Sequence, residues 1–162
     1  MRIGLMADSH DRLPAISELL NKMREKGVSL VMHAGDYCSP FALAPFHDAS
    51  IPLLGIFGRN DGDHESLKAY AALGMGSELY ESPHSFDVGG HRILLVHDLV
   101  EVNSRSIESH EFVFHACTHK AETKTRGATL LVNPGESCGW LHGECTAAIV
   151  DLDTREVEKI TL

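Results

Sequence analysis

The sequence predicts an α/β fold in which two facing mixed β-sheets are flanked by helices, giving a four-layer sandwich. In the first half of the 162-residue chain, short apolar runs alternate with amphipathic segments, which is typical of βαβ units with parallel strands. In the second half, strand-like runs follow one another with little helix between them. The length and the lack of a linker-like segment predict a single domain over residues 1–162.

The first half is predicted to contain three strands and three helices in alternation. The strands are predicted over residues 2–7, 28–34 and 52–57. The helices are predicted over residues 13–26, about 40–47 and about 64–73. The first helix carries an apolar stripe that includes Ile16, Leu19 and Met23, and Ser39-Pro40 is a typical start for the second.

The second half is predicted to be mostly β-structure. A hairpin is expected over residues 85–97, because Gly89-Gly90 separates two apolar runs and glycine adopts the backbone angles of a tight turn. Further strands are predicted over residues 112–116, 123–125, 129–132, 145–151 and 157–161, with a turn at 151–155. Helix is expected only as a turn near residues 103–109.

Composition excludes several classes of function. Fourteen Lys and Arg against 23 Asp and Glu give a formal charge of −9, which repels nucleic-acid phosphates and anionic membrane surfaces. We therefore expect no bulk nucleic-acid binding and no membrane association. No apolar run reaches membrane-spanning length, and nothing at the N-terminus resembles a signal peptide, so a cytoplasmic location with reduced cysteines is expected.

Side chains that bind metals follow five of the predicted strands. These strand ends are Asp8-Ser9-His10, Gly35-Asp36, Gly58-Arg59-Asn60-Asp61, His97-Asp98 and Cys117-Thr118-His119. Open α/β sheets bind ligands beyond the carboxyl ends of their strands, and carboxylates, imidazoles and thiolates are the usual metal ligands. The strand ends together therefore predict a metal site.

The spacing within these motifs suits a divalent ion. In Asp8-x-His10 the two side chains project to the same side of an extended segment, and Cys117-x-His119 repeats that geometry. Asp36 offers two carboxylate oxygens, which is enough to bridge a pair of ions about 4 Å apart. Such a site would lower the pKa of bound water and clamp a phosphoryl group for attack.

The ordered set of motifs resembles the calcineurin-like metallophosphoesterases. The motifs are Asp8-x-His10, Gly35-Asp36, Gly58-x-x-Asp61, His97, Thr118-His119 and Asn133-Pro134-Gly135, in the family's order. The resemblance covers nearly the whole chain. Within the family, the chain is similar to the small stand-alone phosphodiesterase branch, which includes the retromer subunit vacuolar sorting protein 29. It implies the same sandwich fold and a metal-dependent phosphoesterase activity.

The resemblance also implies a ligand set. One ion would be held by residues that are all present: Asp8, His10, Asp36 and His119. A second ion would be held by Asp36, an asparagine directly after Gly58, His97, and the first histidine of a Gly-His-Thr-His motif. Here Arg59 stands in place of the asparagine and Cys117 in place of the histidine, so the second site is altered.

Two interpretations of the altered site are open. In the first, Asn60 ligates by shifting one position and Cys117 supplies a thiolate, which favours a softer ion such as zinc or iron. In the second, the guanidinium of Arg59 takes the place of the second cation and binds phosphoryl oxygens in a bidentate fork. Cys117 would then be a small buried side chain.

The sequence therefore predicts a hydrolase that cleaves small phosphodiesters or phosphomonoesters with metal-activated water. By resemblance it would use one or two divalent ions per chain, from among manganese, nickel, zinc, iron and magnesium. Catalytic roles are expected for Asp36, Arg59 and His97, and substrate binding for Arg59 and Asn60. Asn60 cannot deliver a proton, so activated esters should react fastest.

Two further expectations stay open. The chain could be a weakly catalytic or non-catalytic metal-binding scaffold of the same fold, and a homo-oligomer is compatible with the sequence. Cys138, His142 and Cys145 offer three ligands of a zinc knuckle but no evident fourth, so a second metal site there is not favoured.

Overall fold

The computed structural model describes residues 1–73 and 76–162. Its strands are β1 (Arg2–Met6), β2 (Val31–His33), β3 (Leu53–Ile56), β4 (Glu78–Tyr80), β5 (His84–Val88), β6 (His91–Leu95), β7 (Phe112–Phe114), β8 (Ala121–Arg126), β9 (Thr129–Pro134), β10 (Thr146–Asp151) and β11 (Val157–Thr161). Its α-helices are α1 (Leu13–Glu25), α2 (Ala44–Ala49), α3 (His64–Ala72) and α4 (Ser104–Glu108).

The strands form two mixed sheets, which confirms the predicted fold class. The first sheet has the order β11-β10-β1-β2-β3-β4, and the second has the order β5-β6-β7-β9-β8. Strands β1 to β4 pair in parallel, while β10 runs antiparallel to both β1 and β11. In the second sheet β6, β7 and β9 are parallel, and β5 and β8 are antiparallel edge strands.

Apolar side chains fill the space between the two sheets. Ile3 and Leu5 of β1 pack in one cluster with Phe112 and Phe114 of β7 and Val132 of β9. Because side chains alternate across a strand, the opposite face of each sheet also needs a cover. That face of the first sheet is covered mainly by α1 and α2, which bury Ile16, Leu19, Leu20, Met23 and Phe46.

The outer face of the second sheet is covered by α4. Ile107 of this helix packs with Leu94, Val113 and Leu131, one from each central strand. The sequence predicted only a turn here, but Asn103 caps the helix by accepting a hydrogen bond from the Ser106 N–H at 2.9 Å. This short helix completes the fourth layer.

Several element bounds differ from the prediction for local reasons. The helix predicted over residues 40–47 is divided into a 3₁₀ turn (Pro40–Leu43) and α2, because Pro45 has no N–H to continue the first segment. Strand β4 was not predicted. Gly89 and Gly90 have φ of 58° and 84°, which confirms the predicted tight hairpin between β5 and β6.

None of the helices in residues 1–73 and 76–162 combines the length and the apolar character needed to cross a membrane.

Candidate metal centre

The loops after β1, β2, β6 and β7 bring five of the six predicted metal ligands together in two groups, and among the described residues Cys117 belongs to neither. Ligand atoms of Asp8, Asp36 and His97 lie within 4.8 Å of one another. A second group within the same limit contains His10, His119 and Cys138. The groups adjoin, because His119 Nε2 lies 3.8 Å from Asp8 Oδ1 and His10 Nε2 lies 3.6 Å from Asp36 Oδ2.

The backbone is strained at this centre. Five of the predicted site residues have a left-handed φ: Asp8 (48°), His10 (39°), Asp36 (63°), Cys117 (67°) and His119 (59°). Side chains with a Cβ rarely adopt this conformation, and such residues concentrate where a functional geometry must be held. The strain therefore marks the same residues that the sequence motifs mark.

Asp8 has the strongest need for a cation. Its side chain is 0% exposed, and neither carboxylate oxygen has a hydrogen-bond partner among the described residues. Burial raises the pKa of Asp8 from 3.8 to about 6, although the adjacent His119 and His97 oppose the rise. A buried carboxylate without a partner is costly unless it binds a cation, so the residues fit a divalent ion.

Two histidines are oriented so that one nitrogen of each faces the centre. His97 Nδ1 lies 2.8 Å from the carbonyl oxygen of Ala34, and His119 Nδ1 lies 2.8 Å from Glu136 Oε2. Both oxygens can only accept, so Nδ1 is the donor in each ring and Nε2 is left to face the centre. Metal-binding histidines in proteins are held in this way.

His10 faces the same space. Its Nδ1 lies 3.2 Å from Cys38 Sγ, while its Nε2 is buried without a hydrogen-bond partner. Burial lowers the pKa of His10, although the charge of Asp36 opposes the fall. The ring is therefore in the neutral form that a metal ligand requires.

Asp36 is held in its ionised form by Asn60. The Asn60 backbone N–H donates to Oδ1 at 2.8 Å, and its side-chain amide donates to Oδ2 at 2.7 Å. Burial raises the pKa of Asp36, but these hydrogen bonds and the nearby His97 and His10 outweigh it, so the pKa is lowered overall. Asp36 thus presents a charged carboxylate to both ligand groups.

Asp61 acts as a frame for the loops and does not face the ligands. Its carboxylate accepts four backbone N–H groups at 2.7 to 3.0 Å, from Asp36, Tyr37, Cys38 and Gly58. A Cβ on Gly58 would lie 2.3 Å from Asp36 Oδ1, so only glycine allows this approach. The Gly58-x-x-Asp61 motif therefore fixes the position of the Asp36 loop.

Arg59 lies beside Asp98, which the sequence did not single out as a partner. The guanidinium forms a hydrogen-bonded ion pair with Asp98 Oδ2, and the Arg59 side chain is 61% exposed. Cys117 Sγ lies 3.5 Å from the same oxygen, and burial, reinforced by Asp98, raises the pKa of this thiol to about 11. The roles of Arg59, Asn60 and Cys117 toward metal or substrate stay predictions.

Glu136 is a site residue that the sequence interpretation missed. It is buried, orients His119, and accepts the backbone N–H groups of Leu141 at 3.0 Å and His142 at 2.6 Å. Burial raises its pKa, but these donors outweigh it and the pKa is lowered overall. Glu136 follows the end of β9, so the rule that identified the other strand ends would have found it.

Cys138 lies at the centre, a position that the sequence interpretation did not give it. In residues 1–73 and 76–162 it groups with His10 and His119, and neither ligand group contains His142 or Cys145. Its Sγ lies 3.6 Å from Glu136 Oε2, and burial raises the pKa of the thiol to about 12. The four cysteines of the chain are all free thiols: Cys38, Cys117, Cys138 and Cys145.

Comparisons with known proteins agree with this fold. A family model described as the calcineurin-like phosphoesterase superfamily domain matches residues 1–155. A phosphodiesterase from Methanocaldococcus jannaschii is 28% identical over 165 residues, which is 100% of this chain and 99% of the relative.

Solved structures give the same picture. The structure of a novel archaeal phosphodiesterase superposes with a TM-score of 0.92 at 28% identity, covering 100% of both chains. Vps29 from Chaetomium thermophilum superposes with a TM-score of 0.70 at 16% identity, covering 99% of this chain and 97% of its own. This second likeness shows the shared fold alone.

Proposed function

This chain belongs to the calcineurin-like phosphoesterase superfamily, and on that premise we propose that it is a metal-dependent hydrolase of small phosphodiesters or phosphomonoesters. The observation that carries the proposal is Asp8, a fully buried carboxylate. Its two oxygens have no hydrogen-bond partner among the described residues, and Oδ1 lies 3.8 Å from His119 Nε2. The similarity to a phosphodiesterase over the full length of the chain supports the same reaction class.

The proposed ligands are the side chains that converge on Asp8. Asp8, His10, Asp36 and His119 would hold one ion. Asp36, His97 and Cys117 are the ligands that a second ion would use if Arg59 did not take its place. A divalent ion in this place lowers the pKa of water and polarises a phosphoryl oxygen. The protein's own contribution is to fix the ligands, which Glu136 does for His119 and the Ala34 carbonyl does for His97.

Arg59 and Asn60 are proposed to bind the phosphoryl group. In the Arg59–Asp98 pair the arginine side chain is largely exposed, and pairs open to solvent contribute only about 1 kcal/mol or less. A phosphoryl group offers the guanidinium two oxygens in a bidentate arrangement, which is stronger than a single exposed contact. Substrate can therefore draw Arg59 away from Asp98 at little free-energy cost.

The leaving group receives little help from the chain. Asn60 stands beside Asp36 with its amide nitrogen toward the carboxylate, and an amide does not donate a proton to a leaving alkoxide. Good leaving groups need no such proton. The enzyme is thus expected to cleave aryl esters faster than alkyl esters.

Hydrolysis of an aryl phosphodiester, with manganese, nickel and zinc added in turn, tests the proposal. We expect metal-stimulated turnover that Asp8→Asn reduces by about 100-fold or more, because the ion loses a charged ligand. Asp87→Asn, which changes an exposed carboxylate on β5, is the matched control and should retain activity. If the protein binds these ions but hydrolyses the ester with none of the three, a scaffold role is favoured instead.

The ion, the compartment and the domain count complete the proposal. Manganese is one of the five ions proposed, and the nitrogen, oxygen and sulfur ligands offered here suit several of them. A cytoplasmic location fits the four unpaired cysteines, which persist in a reducing compartment. Residues 1–162 are proposed to form one catalytic domain.

A further inference from the structure

Cys138 occupies a position that no motif of the sequence assigns to the centre. Its side chain is fully buried, and its sulfur lies within 4.8 Å of one ring nitrogen each of His10 and His119. Two imidazoles and a thiol at this spacing can bind a single ion together. Cys138 is thus placed as a ligand, although it is remote from both histidines in sequence.

Backbone contacts fix this position. The N–H of Cys138 donates to the Asp8 carbonyl at 3.1 Å, and the N–H of Ser137 donates to the Ala7 carbonyl at 2.9 Å. The segment after β9 is therefore joined to the end of β1, where the first ligand motif begins. These two hydrogen bonds hold the segment that carries the Cys138 sulfur against the residues after β1.

Glu136 couples the thiol to a histidine. Its Oε2 accepts from His119 Nδ1 at 2.8 Å and lies 3.6 Å from Cys138 Sγ. One carboxylate oxygen thus orients two members of the group. This arrangement resembles the carboxylate partners that orient metal ligands in proteins.

Independent evidence for a cation at this point comes from Asp8. Both of its oxygens are buried without hydrogen-bond partners, and Oδ1 lies 3.8 Å from His119 Nε2. His10 Nε2 is buried and without a partner as well. The unpartnered Asp8 oxygens therefore adjoin the ligand group that contains Cys138, and the unpartnered His10 nitrogen belongs to a member of that group.

We propose that Cys138 is a thiolate ligand of the ion held by His10 and His119, which makes the site selective for zinc, iron(II) or cobalt(II) over manganese and magnesium. This inference rests on the proposed metal-dependent function and specifies its ion. Cys138 would bind as the thiolate, so its S–H proton would be released to solvent, and Glu136 Oε2 at 3.6 Å from the sulfur is placed to relay it. Thiolate is a soft ligand, and harder ions such as magnesium prefer oxygen.

Two other cysteines near the centre are rivals for this role. Cys38 Sγ lies 3.2 Å from His10 Nδ1, and Cys117 Sγ lies 3.5 Å from Asp98 Oδ2. Neither belongs to the group that contains His119. A test must therefore distinguish Cys138 from both.

Cobalt-loaded protein provides the test, because a cobalt–thiolate bond gives a sulfur-to-metal charge-transfer band in the near ultraviolet. We expect this band in the full chain and in Cys38→Ser, Cys117→Ser and Cys145→Ser, and its loss in Cys138→Ser. Cys145→Ser is the matched control, since Cys145 is also a buried free thiol. The ratio of zinc affinity to manganese affinity should fall at least about tenfold in Cys138→Ser alone.

The outcomes that overturn the inference are separate from those that overturn the function. Cobalt binding without the band, while aryl ester hydrolysis persists, removes Cys138 as a ligand and leaves the hydrolase proposal intact. A band that survives in Cys138→Ser has the same consequence. Failure to bind cobalt while another of the proposed ions supports hydrolysis overturns the inference alone, whereas failure to bind any of these ions overturns both proposals.

A second measurement covers the case in which Cys138→Ser does not fold. Zinc-edge X-ray absorption of the Cys38→Ser/Cys117→Ser double variant should show a sulfur neighbour at about 2.3 Å from the metal. Nitrogen and oxygen neighbours only would overturn the inference.

Discussion

Two corners of the centre differ in how their charges are compensated. Around Asp8 the side chains are buried, and several polar atoms have no protein partner. Around Arg59 the side chains are more exposed and already paired, since Arg59 bonds Asp98 and Cys117 contacts the same carboxylate. The first corner is built for an ion, whereas in the second a ligand must replace existing contacts.

The largest effect is expected for the buried corner, where pH tests the charge on Asp8. Its pKa is raised from 3.8 to about 6 in the folded protein, so the folded state binds the proton more tightly than the unfolded state does. The resulting stability is complete below about pH 4 and is lost as pH rises through about 6. In metal-free protein, Asp8 should therefore reduce the free energy of unfolding by about 3 kcal/mol over this interval.

Denaturant unfolding of metal-free protein at several pH values measures this effect. Asp8→Asn removes the ionisable group. The free energy of unfolding of this variant should therefore change less between pH 4 and pH 7 than that of the unaltered chain, and the two changes should differ by about 3 kcal/mol. Equal pH dependence in the two proteins would show that the Asp8 carboxylate is not buried without compensation. Saturating zinc should also remove most of the difference, because the ion supplies the missing charge.

The next largest effect is expected for Glu136, which orients a ligand without facing the ion. In Glu136→Gln the amide can still contact His119 but no longer offers a charged acceptor, so metal affinity should fall about 10- to 100-fold. Competition with a metal chelator measures this. Glu122→Gln, on the exposed strand β8, is the control, and an equal loss in both variants would rule out an orienting role.

The Arg59 corner should respond in substrate affinity. Arg59→Ala removes the proposed bidentate contact, so KM should rise about tenfold while kcat changes little, if the contact is equally strong in the ground and transition states. Steady-state kinetics on an aryl phosphodiester checks this. A fall in kcat with unchanged KM would make Arg59 a residue that acts on the transition state.

Metal content distinguishes the two interpretations of the altered site. The amide nitrogen of Asn60, and not its oxygen, faces Asp36 Oδ2 at 2.7 Å, so ligation by Asn60 would break that hydrogen bond. We therefore expect about one ion per chain in protein purified without added metal, with Arg59 supplying the other positive charge. Elemental analysis giving about two ions would favour ligation by Asn60 and Cys117.

The smallest effect is expected for Asp98, a partly exposed carboxylate whose charge is compensated by the exposed Arg59. Asp98→Asn keeps an acceptor for the Val100 N–H and removes the charge that faces Arg59 and Cys117 Sγ. Such pairs contribute about 1 kcal/mol or less, so the free energy of unfolding should change by no more than that. If thermal or denaturant unfolding showed a loss of several kcal/mol in the free energy of unfolding, the Arg59–Asp98 pair would be as buried as Asp8.

The sequence predicted the elements that depend on local pattern. The apolar stripe on α1 and the Gly89-Gly90 turn were found because periodicity and glycine backbone freedom operate over a few residues. Strand β4 was missed because it is only three residues long and has an exposed glutamate, Glu78. The division of the helix at Pro45 was missed although proline is a local signal.

The sequence by itself determined the two-sheet fold and the ligand-type side chains at the strand ends, because strand alternation and strand-end position are local properties. Only the tertiary structure decided which of these side chains share a space. It joined Cys138 and Glu136 to His119, and paired Arg59 with Asp98 39 residues away. Such contacts depend on how two sheets pack and where their loops meet, and no spacing along the chain encodes that geometry.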